Sequence, residues 1–270
     1  MLILLSPAKT LSFDHSTTQG DVPELIDDAH DLIQHLRDYD VQSLAQLMKL
    51  SDSLSSLNVE RYRTWRGHRN TLQGNQHPAL FVFQGDAYRG LDATTLDDTL
   101  QAHAQKHLRI LSGLYGILRP FDHIEAHRLE MGTRLSTSSG KHLYDFWGDR
   151  ILDSLERTLP DAQRSGHESV VINLASQEYF KSVMRPRGWQ CPVITPAFKD
   201  EKSGKYKVIS FFAKRARGLM TRHLLESSHA HPEQSIDEIL RSFKSEGYVF
   251  SAEQSTPSTP VFMRSEKAKA

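Results

Sequence analysis

The sequence predicts an α/β (α+β) protein: a single domain in which a mixed parallel/antiparallel sheet is surrounded by helices. Three observations predict it. Short apolar runs at residues 2–5, 79–83, 110–118 and 169–174 are bounded by turn residues, as buried strands are. Between them lie stretches of helical period, such as residues 23–38 with Leu25, Ile26, Ala29, Leu32, Ile33 and Leu36 on one face. Beyond residue 190, two runs joined by Ser203-Gly204 read as a β-hairpin, which supplies an antiparallel part.

The first strand, residues 2–5, ends in Ser6-Pro7-Ala8-Lys9-Thr10, at the strand end where mixed sheets carry functional loops. Helices follow over residues 23–38, 41–50 and 53–65, the last with Leu54, Leu57 and Tyr62 inward. Ser51-Asp52 makes the turn between the second and third helices and caps the third. This pair resembles a helix-hairpin-helix unit, LMKLSDSLSSLNVERY, but its turn lacks glycine, so an ordinary helical hairpin is the favoured reading. Residues 67–78 are loop-like. The strand 79–83 leaves through Gly85-Asp86-Ala87-Tyr88-Arg89-Gly90, which lacks the Lys-Ser/Thr of a phosphate-binding loop. Thr95 is placed as the cap of a helix running to about Lys106.

The run 110–118 reads as one buried strand whose Gly113 and Gly116 allow close backbone approach. Arg119-Pro120 ends it. A dense polar stretch follows, with Asp122, His123, Glu125, His127, Arg128, Glu130 and Arg134. Residues 142–159 read as one helix with Gly148 inside it, and 164–168 as a loop. The strand 169–174 delivers Asn173, Ser176, Glu178, Tyr179 and Lys181 at its end. Strands are expected over 193–199 and 205–213, then a helix that begins with Lys214, Arg215 and Arg217. Cations at a helix N-terminus oppose the macrodipole, so that placement points to an anionic partner. A last helix over 233–245 and paired strands at 248–251 and 261–264 complete a domain over residues 1–264. Residues 265–270 read as a disordered tail.

The 270 residues are 38% hydrophobic and 24% charged with a formal net charge of zero, so global charge announces neither nucleic acid nor membrane. The charge is unevenly placed. Residues 1–60 hold ten acidic and three basic side chains, whereas 199–222 hold eight basic and two acidic. Cys191 is the single cysteine, which excludes an intrachain disulfide or a cysteine-type metal site and fits a reducing cytoplasm. No apolar stretch approaches membrane-spanning length, and the N-terminal run is too short and unflanked for a signal peptide.

Many short runs, in order, resemble the YaaA family of bacterial peroxide-stress proteins: SPAKTL at 6–11, GDAYRGL at 85–91, LSGLYGILRP at 111–120, RLEMG at 128–132, FWGD at 146–149, NLASQEYFK at 173–181, FFAKRARGLM at 211–220 and SEGYVF at 245–250. Gln84 departs from the family's usual lysine before Gly-Asp, and His127 stands where an aromatic usually precedes Arg-Leu-Glu-Met. The resemblance implies one mixed α/β domain with a positively charged cleft and a helix-hairpin-helix element. It also implies DNA binding without marked sequence preference and protection during hydrogen peroxide stress by keeping unincorporated iron low.

Three functions compete. The first is a protein that binds double-stranded or branched DNA, with Lys9, Arg119, Arg128, Arg134, Lys181, Lys214, Arg215 and Arg217 as its phosphate contacts. The second is an enzyme acting on DNA or a nucleotide through a Lys/Glu/Arg cleft, in which Lys9, Glu130, Glu178 and Lys181 would do acid/base or amine chemistry. Ser6-x-x-Lys9 is a poor match to a serine-lysine pair, since here the serine ends a strand. The third, prompted by the family's iron link, is an iron or other metal binder: His103-x₃-His107 and His123-x₃-His127 have spacing that can place two imidazoles on one helical face, but a solvated helix face for the first pair and a polar loop for the second explain them better. The reading adopted is a cytoplasmic DNA-binding stress protein with no catalytic residue, no cofactor, no metal, no membrane contact and no obligate protein partner. Residues 6–10, 119–134 and 173–181 are expected to converge on one cleft.

Overall fold

A computed structural model describes residues 1–17, 20–67, 77–163 and 169–269. Most of the loop expected over 67–78, and all of that over 164–168, lie outside them. The strands are β1 (Leu2–Leu5), β2 (Thr10–Leu11), β3 (Phe83–Gln84), β4 (Leu108–Ser112), β5 (Gly116–Leu118), β6 (Val171–Asn173), β7 (Val193–Ile194), β8 (Ala197–Lys202), β9 (Lys205–Lys207), β10 (Val249–Phe250) and β11 (Val261–Arg264). The helices are α1 (Ile26–Arg37), α2 (Val41–Met48), α3 (Asp52–Thr64), α4 (Ala79–Val82), α5 (Asp86–Leu91), α6 (Asp98–His107), α7 (Leu143–Trp147), α8 (Arg150–Gln163), α9 (Gln177–Phe180), α10 (Ser210–Ala230) and α11 (Ile236–Arg241).

The fold is α/β with mixed sheets. The main sheet has the order β5-β4-β1-β6-β7, in which β1 pairs in parallel with β4 and β6, and β4 pairs antiparallel with β5. Leu2, Ile3, Leu4 and Leu5 are all buried, as a strand covered on both faces requires. The C-terminal strands form a second sheet, β10-β11-β8-β9, and β2 with β3 a small third one. The helix α10 touches both β1 and β8 and so ties the two larger sheets together.

Several elements differ from the sequence reading for identifiable reasons. The run 110–118 is a hairpin, β4 and β5, rather than one strand. Gly116 has φ +67 in its turn, and a Cβ on Gly113 would collide with the Leu129 carbonyl. Residues 79–82 are a helical turn, because a fully buried apolar run carries no period to separate helix from strand. Gly148, at φ +48, splits the helix expected over 142–159 into α7 and α8. Asp97, not Thr95, caps α6 by accepting from Leu100 N–H at 2.8 Å. On α3 the inward residues are Ser55, Asn58 and Tyr62, while Leu54 and Leu57 are exposed. Glu266–Lys269 form a 3-10 turn rather than a disordered tail: the Ser203 N–H donates to the Glu266 carboxylate, and the Glu266 N–H to Glu201.

The largest shift is at α10, which begins at Ser210 and absorbs residues expected in a strand. The β-hairpin is therefore short, β8 turning through Ser203 and Gly204, both at positive φ, into β9. Lys214, Arg215 and Arg217 sit in the second turn of α10, past the reach of the helix-terminal dipole. Their placement needs another explanation.

Candidate functional site

The carboxyl ends of β1, β4 and β6 lie side by side, since Leu5 is in register with Ile110 and Leu4 with Asn173. Open α/β sheets bind ligands outside such ends. A cavity of about 420 Å³ lies there, with Leu5, Ser112 and Leu174 at its floor. Its walls come from the 6–10 loop, from Phe83 to Tyr88, from His127 to Glu130, from Ser176, Glu178 and Tyr179, and from Lys214 and Arg217. The three expected segments thus converge on one cleft, each through part of its length.

Local contacts set each wall. Tyr88 Oη donates to the Ser6 carbonyl at 3.0 Å, and the Ser176 N–H donates to Ser6 Oγ at 2.8 Å, so Ser6 is a structural tie rather than a free nucleophile. Gly113 lets the 127–130 loop press on the end of β4. Tyr62 Oη donates to the Arg128 carbonyl and holds that loop from the other side. Glu178 accepts from the Gly132 N–H at 2.9 Å, and Tyr144 Oη donates to the Glu178 carbonyl at 2.9 Å. Lys214 and Arg217 reach the cleft because α5 and α10 cross in close contact. A Cβ on Gly90 would meet the Arg215 carbonyl, and one on Gly218 the Ala87 carbonyl.

The electrostatics separate two kinds of cation. Glu130 accepts both Lys9, at 2.9 Å, and Arg128, at 3.1 Å. Asp86 pairs with Arg89. Lys214 and Arg217 meet no carboxylate among the described residues. Burial pushes the Arg217 guanidinium below its usual range, the signature of a cation taken from water without a counter-ion. The Nε of Arg128 is buried and has no hydrogen-bond partner among the described residues. Burial holds the Tyr88 and Tyr179 phenols well above their ordinary values, so both stay protonated donors. It also pushes His127 down to about 4, which leaves a neutral imidazole that donates from Nδ1 to the Glu125 carbonyl at 2.8 Å.

The profile of the family described as peroxide stress protein YaaA matches residues 1–254. The chain belongs to that family. A UPF0246 protein of Marinomonas sp. (strain MWYL1) is 46% identical over the whole chain and 99% of its own length. One from Azoarcus sp. (strain BH72) is 48% identical over 98% of the chain and 99% of its own length. One from Shewanella loihica is 46% identical over 99% of the chain and the whole of its own length.

The family resemblance drawn from short runs therefore holds along the chain, but the eight candidate cations divide. Lys9, Arg128, Lys214 and Arg217 line the cleft. Arg119 does not: it clamps Asp122, through its N–H at 2.8 Å and Nε at 2.9 Å, and the Val22 carbonyl at 3.1 Å. Arg215 is held by Glu246, Nε to Oε1 at 2.7 Å. Lys181 lies over the Tyr144 ring at 4.8 Å and Arg134 is exposed, neither of them lining the cleft. Of the two positions noted as departures from the family pattern, Gln84 lines the cleft and donates to the Phe81 carbonyl, and His127 packs edge-on to Tyr115 at 5.1 Å. Sequence reasoning missed the α5–α10 crossing. Its signal was Gly90 and Gly218, each inside a helix where alanine would otherwise be favoured.

No helix is long and apolar enough to cross a membrane, and no cluster of three metal-ligating side chains occurs among the described residues.

Proposed function

We propose that this member of the peroxide stress family acts by binding DNA without marked sequence preference through the cleft at the strand ends, and so helps limit damage from unincorporated iron. The observation that carries the reading is Arg217: a desolvated guanidinium that lines a cavity, beside Lys214, with no carboxylate partner among the described residues. Arg217 is partly buried, and taking a cation out of water without a counter-charge costs the fold free energy. A phosphate supplies the missing counter-charge through charge-assisted hydrogen bonds that arginine makes well. The glycine-free α2–α3 hairpin, with Lys49 in the left-handed region and Ser51 capping α3, stands as a second phosphate contact under this reading. Fluorescence anisotropy with unrelated duplexes across a salt series tests it. Affinity is expected to vary little with sequence and to fall steeply with salt. Absence of binding at low salt overturns the proposal.

A second reading, an enzyme acting on DNA or a nucleotide, is favoured by one observation. The cavity has the volume of a small-ligand site and holds Glu130 and Glu178 among its cations. Amine chemistry at Lys9 is disfavoured, since its side chain is 65% exposed and ion-paired to Glu130. Borohydride trapping on DNA containing an abasic site separates the readings: a covalent adduct requires the enzyme.

A further inference from the structure

The β8–β9 hairpin and the first turns of α10 carry a feature that the cleft does not explain. From Lys202 to Arg217 the chain has six cations and no acidic residue. Arg215 is paired with Glu246, and Arg217 lines the cleft. Lys202, Lys205, Lys207 and Lys214 are exposed, without an ion pair among the described residues. The same segment holds three exposed large apolar side chains: Tyr206, Val208, at 58% exposure, and Phe211, at 55%. Lysines on an edge strand guard against strand addition. That role does not call for an exposed aromatic ring beside them.

The register places the cations on one side. Lys202 pairs with Lys205 and Asp200 with Lys207, so these four side chains share a face of the hairpin. The inner end of that face is fixed. Asp200 is buried, accepting from Arg264 at 2.7 Å and from Tyr248 Oη at 2.8 Å. Phe212 lies 4.6 Å over the Arg264 guanidinium, so the first turn of α10 covers the inner end of the same face. Phe211 and Lys214 are then one turn apart along α10, and Lys214 is already a wall of the cleft. Along the chain, the hairpin lysines, Phe211 and the cleft cations Lys214 and Arg217 follow one another without an acidic residue between them, and the Glu266 carboxylate at the hairpin turn is held by the Ser203 N–H.

We infer that this strip docks a single-stranded nucleic acid and leads it to the cleft, an inference that rests on the DNA-binding reading and extends it. Lys202, Lys205 and Lys207 track phosphates, and Phe211 gives an unpaired base a stacking surface. Such a combination of a cationic track and an aromatic platform is what sequence-tolerant single-strand binding requires. A duplex keeps its base faces stacked inside and has no use for the ring.

The test compares a blunt duplex with the same duplex carrying a single-stranded extension of about 12 nucleotides, within the usual site sizes for single strands. The extension is expected to tighten binding on the order of ten-fold at low salt. Joint Lys202→Gln, Lys205→Gln and Lys207→Gln substitution should abolish the gain and lower the salt slope on the extended probe by about 2, at ~0.7 per phosphate. Blunt-duplex affinity and melting temperature should not change, and Phe211→Ser should lose most of the gain alone. Binding of the blunt duplex with no gain from the extension, or a gain that survives the triple substitution, overturns the strip and leaves the cleft reading intact. A gain that needs the lysines but survives Arg217→Met supports the strip and removes the cleft. Failure of both probes to bind at low salt overturns both. Lysine-dependent binding of phosphatidylserine vesicles in place of either probe assigns the surface to a lipid headgroup and overturns the inference.

Discussion

Arg215 and Arg217 stand two positions apart on α10 and face different surroundings. Arg215 turns toward the C-terminal segment, where Glu246 holds it. Glu246 has φ +50, and its carboxylate also lies 3.6 Å from Arg264, next to the buried Asp200–Arg264 pair. That face is electrostatically closed. Arg217 turns into the cleft, where every carboxylate has another partner: Glu130 has Lys9 and Arg128, Asp86 has Arg89, and Glu178 has the Gly132 N–H. The difference teaches that a basic segment is not one functional unit. Some of its cations, such as Arg215 and Arg222, belong to the architecture, and only those without a counter-ion speak for a ligand.

The contrast depends on the α5–α10 crossing, and the largest expected effect is there. Gly218→Ala places a methyl group against the Ala87 carbonyl, in backbone that cannot give way as a flexible side chain would. A destabilisation of about 3 kcal/mol is expected despite alanine's better helix propensity, and denaturant unfolding measures it. A neutral or stabilising result would show that the helices do not meet this closely, and the position of Arg217 would fall with them.

The next effect is a pH dependence in the cleft wall. His127 titrates near 4 in the folded protein against 6.5 ordinarily. Below pH 6.5 the unfolded chain takes up a proton that the folded protein refuses until about pH 4. Stability from this group is therefore complete above pH 6.5 and is lost as pH falls toward 4, by at most ~3 kcal/mol. His127→Phe keeps a ring against Tyr115 and should lose about 1 kcal/mol at neutral pH with the bond to the Glu125 carbonyl. It should also flatten the difference in unfolding free energy between pH 7 and pH 4.5. An unchanged acid limb would mean that the imidazole is solvated.

Smaller effects sharpen the division of the cations. Arg215→Ala breaks a partly exposed pair and should cost about 1 kcal/mol of stability with little change in DNA affinity. Gln84→Lys adds a cation to the cleft wall and should steepen the salt slope for duplex DNA by about 0.9, the increment for one phosphate contact. A loss of duplex affinity in Arg215→Ala, or no change in slope in Gln84→Lys, would place the DNA path elsewhere.

The strands at 2–5 and 169–174, the amphipathic α1 and the convergence of three strand ends were legible because burial and turn chemistry act locally. Residues 79–82 and 110–118 were not, since an apolar run buried on all sides carries no period. The start of α10 was misplaced for the same reason: Ser210, Phe211, Phe212 and Ala213 fit a strand as well as a helix. The cations could be counted but not sorted. Glu246 lies 31 residues from Arg215 in sequence, and nothing local marks it as a partner.

The most direct test of the account is Arg217→Met, which keeps the apolar stem and removes the charge. If Arg217 is held for a phosphate, the variant should melt at the same temperature or higher, because a desolvated, unpaired cation is gone. Its duplex affinity should fall, with a salt slope shallower by about 0.9. A clear drop in melting temperature with DNA affinity and slope unchanged would contradict the account and return Arg217 to the architecture beside Arg215.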